Sequence, residues 1–219
     1  YESNALDHQG LLLHSEGVAL PVLSVNVEAG LVDVVLSKRT VSERILSGLS
    51  VGSQVSLMGP TGVRAKIPHS PQAVLIMVDV HLITQACVLG RALRDANHIV
   101  CMGVRVPDAD SLYLMSELHA AADKIVWQVD TGEALPMMRS NDQCVVSDVW
   151  AATLAWLGLP EQQAWACQLT DVRVLGPAAF VEASQAQLTA LSAVTGVAVT
   201  RCDAAVYGPM QCMLKGVCA

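Results

Sequence analysis

The chain has 219 residues, 53% of them apolar and only 15% charged, so a large core is available and disorder is excluded. A net charge of −7, with no basic cluster and only eight aromatic residues (four Trp, three Tyr, one Phe), excludes nucleic acid and anionic membrane surfaces as partners. The longest unbroken apolar run, residues 73–78, is far short of the roughly 20 residues that a membrane-spanning helix needs, so no transmembrane segment is expected.

In chain order, the first 70 residues read as short strands joined by tight turns. Residues 10–14, 20–27 and 31–36 are β-rich, and Glu28-Ala29-Gly30 supplies a hairpin turn. Thr40-Val41-Ser42-Glu43 is a capping-box pattern opening a short helix that stops at Gly48. Residues 54–58 form a further strand, closed by Gly59-Pro60-Thr61-Gly62. Strands and tight turns with one short helix predict a partial antiparallel β-barrel over residues 1–70. Four strands are too few to close one, which implies further residues upstream.

From Pro71 the rhythm changes. Strands are predicted at 73–80, 98–104, 124–129, 172–175 and 197–200. Helices alternate with them at 82–95, from the Asp110 cap to 122, at 145–157, and from Pro177 at the first turn to about 194. Five apolar strands alternating with four helices predict an α/β domain over residues 71–205, a doubly wound five-stranded parallel sheet buried on both faces. Ligands of such sheets bind outside the carboxyl ends of the strands, here residues 79–83, 105–110, 130–135 and 176–179.

Seven cysteines, an odd number without a signal peptide, point to a reduced cytoplasmic protein rather than a secreted disulfide framework. Cys87, Cys101, Cys144 and Cys167 lie in apolar surroundings, where a thiol behaves as a small hydrophobe. Cys212 and Cys218 stand apart, in a Gly-containing stretch over residues 206–219. The start at Tyr1 and stop at Ala219 suggest part of a longer polypeptide.

Several residues invite a chemical reading. Lys38, Arg39 and Thr40 precede a predicted helix N-terminus, which suits an anion, although a capping box beside a solvated basic pair explains them equally. Asp79 and His81 sit at the carboxyl end of the first strand of the sheet, where an acid/base pair is conceivable and a mere filling role more common. Asp108-Ala109-Asp110-Ser111 reads as a helix cap rather than a metal site. His8, His14, His69, His98 and His119 show no ligand spacing, and no Gly-x-Ser-x-Gly, Walker or His-Glu-x-x-His pattern is present.

The order of parts, a small barrel ending in Gly-Pro-x-Gly and then a βα domain, resembles the ferredoxin–NADP reductase family. Pro21-Val22-Leu23-Ser24 follows Leu20 where that family has its Arg-Pro-x-Ser flavin segment. Ser37-Lys38-Arg39-Thr40 falls where its Gly-x-x-Thr turn meets the flavin phosphates, and Gly59-Pro60-Thr61-Gly62 matches the barrel-closing turn. Gly176-Pro177 resembles its Cys-Gly-Pro segment, with Leu175 in place of the cysteine. Met210-Gln211-Cys212 through Cys218 is similar to the start of the iron–sulfur loop in one subgroup, the electron-transfer subunit of dihydroorotate dehydrogenase. The spacing here is one residue longer.

The resemblance implies an electron-transfer oxidoreductase module, with FAD in the barrel and a [2Fe–2S] cluster on Cys212, Cys218 and two ligands beyond Ala219. It also implies NAD(P)H as reductant and a redox partner protein or fused domain. Against the nucleotide, the loop Met77-Val78-Asp79-Val80-His81-Leu82 has no glycine, so side chains obstruct close backbone approach and Asp79 repels a pyrophosphate. The alternative is a degenerate reductase-like domain kept for docking or as a scaffold.

Overall fold

The structure, a computed structural model, describes residues 4–6, 12–14, 20–36, 38, 41–57, 64–135, 139–146 and 148–207. The chain forms two compact units, Tyr1–Arg64 with Pro209–Ala219, and Ala65–Gly208.

In the first unit, β1 (Asn4–Leu6) pairs antiparallel with β2 (Leu12–His14), and β3 (Val22–Asn26) pairs antiparallel with β4 (Leu31–Val34). The predicted turn joins the latter two. Gly30 takes φ +64°, and the Asn26 side-chain oxygen accepts the Ala29 N–H at 3.0 Å. The short helix follows as α1 (Val41–Ser47). The barrel is not seen: among the described residues the strands form two separate pairs, and residues 54–57 carry no strand. A barrel needs every strand bonded along both edges. Among the described residues β3 and β4 bond only each other, and Val25 and Val32 remain 59% and 47% exposed.

The second unit is the predicted α/β domain with one more strand. Its strands are β5 (Ala73–Asp79), β6 (Ile99–Val106), β7 (Lys124–Val129), β8 (Gln143–Val145), β9 (Leu169–Pro177) and β10 (Arg201–Tyr207). They form one parallel sheet of six strands in the order β10-β9-β5-β6-β7-β8. Its helices are α2 (Ile83–Asp95), α3 (Met115–Ala121), α4 (Val149–Leu157), α5 (Gln163–Ala166) and α6 (Ala178–Thr195).

Two corrections concern the sheet edges. β8 has three residues, too few for a periodic signal. The last strand begins at Arg201 rather than 197, because Gly196 turns the chain at φ +70° and residues 197–200 form the connection. β10 is an edge strand, so it is largely exposed rather than buried on both faces. A third correction concerns the helix expected from Asp110. Asp108 caps a single 3₁₀ turn, Ala109–Ser111, and α3 starts only after Leu114, whose φ is +57°.

Side chains alternate across the sheet. Leu75 and Met77 join Trp150, Leu157 and Leu191 on the face covered by α4 and α6, while Met102 meets α2 at Gly90 on the other. The Trp150 indole N–H donates to Ser184 Oγ at 2.9 Å, tying α4 to α6. Arg173, 3% exposed, is held by Asp171 at 2.8 Å, Asp203 at 2.7 Å and the Lys66 carbonyl at 3.0 Å. Such a buried guanidinium persists only because its donors are satisfied.

Burial pushes the Cys87 and Cys101 thiols up to about 12, so they are the inert hydrophobes expected. Cys144 is half-buried, and Cys167 is exposed, contrary to its apolar sequence neighbourhood. No helix among the described residues is long and apolar enough to cross a membrane.

Where α2 meets α3, a Cβ added at Gly90 would lie 2.4 Å from Met102 Cε and 2.5 Å from the Ala121 carbonyl oxygen. Alanine gains about 1 kcal/mol of helix propensity over glycine, but overpacking against backbone costs about 1–3 kcal/mol. Gly90→Ala is therefore expected to lose up to about 2 kcal/mol in urea unfolding, whereas a stabilised variant would show that α3 yields.

Candidate functional site at the carboxyl edge of the sheet

The chain leaves β5 towards β6 on one side, while β9 lies on the other. Strand order therefore reverses between β5 and β9, and their carboxyl ends, Asp79 and Gly176, flank the crevice where this architecture binds ligands. β5 is apolar at every residue except its last, so the carboxylate of Asp79 is delivered to the rim while the strand stays in the core.

Asp79 is turned inward, with its side chain 8% exposed. It caps the 3₁₀ turn Val80–Leu82 that leads into α2, accepting the His81 N–H at 3.1 Å, and its carboxylate also contacts His81 Nδ1. Arg105, at the end of β6, places its guanidinium 3.8 Å away. That guanidinium forks onto Asp130 with contacts of 3.1, 3.1 and 2.8 Å. The hydrogen bonds to Asp130, opposed by partial burial, raise Arg105 further above its ordinary range, so its charge is permanent. Gln128 completes the chain, donating to Asp130 at 2.6 Å and accepting the Val149 N–H at 2.8 Å. The imidazole of His81 lies against Tyr207, ring centroids 4.5 Å apart, and the Tyr113 hydroxyl donates to the Val80 carbonyl at 3.0 Å.

A helix N-terminus on such a rim attracts an anion, and in dinucleotide-binding domains the anion is a pyrophosphate. Here the chain supplies its own. The Asp79 carboxylate accepts the N–H at the start of the turn and faces the nearest cation. Gly176 leaves no cradle either. A Cβ there would meet the Phe180 ring at 2.7 Å and Asp79 Cβ at 3.0 Å, so the glycine is required by the chain's own packing. A nicotinamide nucleotide does not fit these residues. Its pyrophosphate would meet a buried carboxylate where it needs backbone donors.

Of the residues marked from sequence, Gly176 and Pro177 lie at this switch point, with Pro177 preceding α6. Pro21, Val22, Leu23 and Ser24 lie at the start of the β3–β4 hairpin, where the Ser24 hydroxyl donates to the Asp33 carboxylate. Lys38 is exposed with φ +57°. Ser37, Arg39, Thr40, Gly59, Pro60, Thr61, Gly62, Cys212 and Cys218 lie outside the described residues. Among the described residues, no group of three or more His, Cys, Asp or Glu is placed to hold a metal ion. Arg105 and Asp130 fell within segments flagged by topology. Tyr207 carries no signal in the sequence, because the apolar residues suggest a last strand at 197–200, whereas β10 runs Arg201–Tyr207.

No protein-family model matches the chain, and no curated protein matches it in sequence. Its fold does match solved structures. A structure of an NADH-dependent reduced ferredoxin–NADP oxidoreductase, described for flavin-based electron bifurcation, superposes with a TM-score of 0.58 at 16% identity. The match covers 83% of this chain and 58% of that one, so this chain spans little more than half of its neighbour. The C-terminal domain of a hydrogenase from Pyrococcus furiosus matches with a TM-score of 0.42 at 17% identity, over 68% of this chain and 100% of that one. The ferredoxin reductase-like likeness is thus one of fold.

Removing the Asp79 carboxylate strips the turn of its cap and Arg105 of its second anion. Asp79→Ala is expected to lower the unfolding free energy by about 1–3 kcal/mol, read by urea denaturation. An unchanged midpoint would mean that the carboxylate does not anchor this rim.

Proposed function

We propose that the chain is an electron-transfer module of ferredoxin reductase type, part of a larger flavoprotein, whose α/β unit no longer takes a nicotinamide nucleotide. The observation that supports the first half is the likeness of fold over 83% of the chain to a flavin-based oxidoreductase. The second half rests on Asp79, which stands as an internal anion at the rim.

In this reading residues 1–70 form the flavin-binding side. Pro21, Val22, Leu23, Ser24, Ser37, Lys38, Arg39 and Thr40 would hold FAD, as the family resemblance implies. When bound, a flavin supplies exchange between two-electron and one-electron chemistry. The chain's own contribution is positional and electrostatic: the exposed Lys38 ammonium would face a phosphate. With the nucleotide crevice filled, electrons would come from a redox partner protein or a fused domain rather than from NAD(P)H at this unit. The finer likeness, to the electron-transfer subunit of dihydroorotate dehydrogenase, would add a [2Fe–2S] cluster on Cys212 and Cys218 with two further thiolates.

A second reading is favoured by the same rim. A crevice filled by Asp79, His81 and Phe180 suits a reductase-like domain retained for docking or as a scaffold. The visible absorption spectrum of the longest polypeptide that contains this chain, purified without oxygen, separates the two. Flavin bands are expected, and a featureless spectrum in folded protein would leave the docking role in place of electron transfer.

A further inference from the structure

The opposite, amino-terminal edge of the sheet carries a feature that the proposed electron transfer does not use. Between the starts of β6, β7 and β8 and the corner of α4 and α5 lies a cleft of about 450 Å³, within the range of small-molecule sites. One wall is aromatic. Trp156 and Trp165 stand with ring centroids 5.0 Å apart at 39°, and the Trp165 indole N–H is fixed by Gln162 at 2.8 Å. The other wall carries Lys124, the first residue of β7, which is only 6% exposed.

The charges around this cleft are unevenly paired. Asp123 is bound by Arg94 at 3.1 Å and by the Val100 N–H at 2.8 Å. Asp142 is bound by Arg139 through two contacts of 2.8 Å, by the Ile125 N–H at 2.9 Å and by His119 at 3.4 Å. Each of these two carboxylates thus has its own guanidinium and its own backbone donor. Lys124 has neither kind of counterpart. Its ammonium donates to the Asn141 carbonyl and lies 4.9 Å over the Trp156 ring, and no carboxylate of the described residues comes within ion-pair distance. A dipole and a ring face compensate a buried cation only in part. Burial draws the Lys124 pKa below its ordinary value, and the nearby Asp142 carboxylate opposes that shift only in part.

We propose that this cleft is a binding site for a small aromatic monocarboxylate, its carboxylate on the Lys124 ammonium and its ring against Trp156 and Trp165. The anion supplies the direct ion pair that Lys124 lacks among the described residues, and the indole pair takes an apolar planar body. A single negative charge fits best, because the exposed Glu161 lines the same cleft and repels a second one. The site is remote from the Asp79 rim and independent of the electron-transfer reading, since it lies at the other end of the strands.

The test uses the full chain, benzoate as probe and benzamide as its uncharged counterpart. Benzoate is expected to shift the indole N–H signals of Trp156 and Trp165 saturably while leaving that of Trp150, which is engaged with Ser184, in place. Benzamide is expected to bind about tenfold more weakly or worse, a loss of about 1.4 kcal/mol. Lys124→Met is expected to abolish the preference for benzoate, and Lys124→Arg to keep part of it. Equal affinity for the two probes on the unmodified protein would overturn the proposal without recourse to any variant. So would shifts that fail to saturate in the millimolar range.

Discussion

β5 is hydrogen-bonded to β6 on one side and β9 on the other, and all seven of its residues are buried. With helices packed on both faces, no position along it can hold a polar side chain until the strand emerges. The constraint leaves its carboxyl end as the one place where the strand can present chemistry, and the residue there is Asp79. Register then determines what surrounds it. Asp79 pairs with Arg105 on β6, and Val78 with Leu175 on β9, so a cation and the close-packed Gly176 arrive beside the carboxylate without further adjustment.

The two ends of the sheet resolve their charges in opposite ways. At the carboxyl edge, Asp79, Arg105 and Asp130 form a linked series with His81 and Gln128, so an incoming anion finds its position taken. At the amino edge the guanidiniums of Arg94 and Arg139 are spent on Asp123 and Asp142, and Lys124 is left facing a cleft with two indoles. Low effective dielectric makes both outcomes consequential. A filled charge pair is inert, whereas a partly compensated one favours binding.

How much of this was legible in the sequence follows from length and burial. β5, β6 and β7 are largely apolar runs flanked by turns or helical spacing, and Val172, Val174 and Leu175 mark β9 although Asp171 and Arg173 lie buried within it. β8 has three residues and no period to read. β10 is bonded along one edge and opens with Arg201 and Asp203, so it offers no apolar run, and the apolar residues 197–199 just before it suggest a strand four residues too early. The barrel was inferred from strand count and turn residues, which report hairpins but not whether hairpins bond to one another; the described ones do not. Asp79 was legible as an obstacle to a pyrophosphate because the loop lacks glycine. Its capping of the following turn and its pairing with Arg105 come from register, which single positions do not reveal. The Lys124 cleft was not legible, since it assembles residues from four separate segments.

At the switch point the chain itself fills the anion position, with Asp79. Titration of the folded chain with NADH, followed through the backbone amide signals of residues 79–83, tests this most directly. No saturable shift in the millimolar range is expected. Saturable micromolar binding with shifts centred on Asp79 and His81 would contradict it.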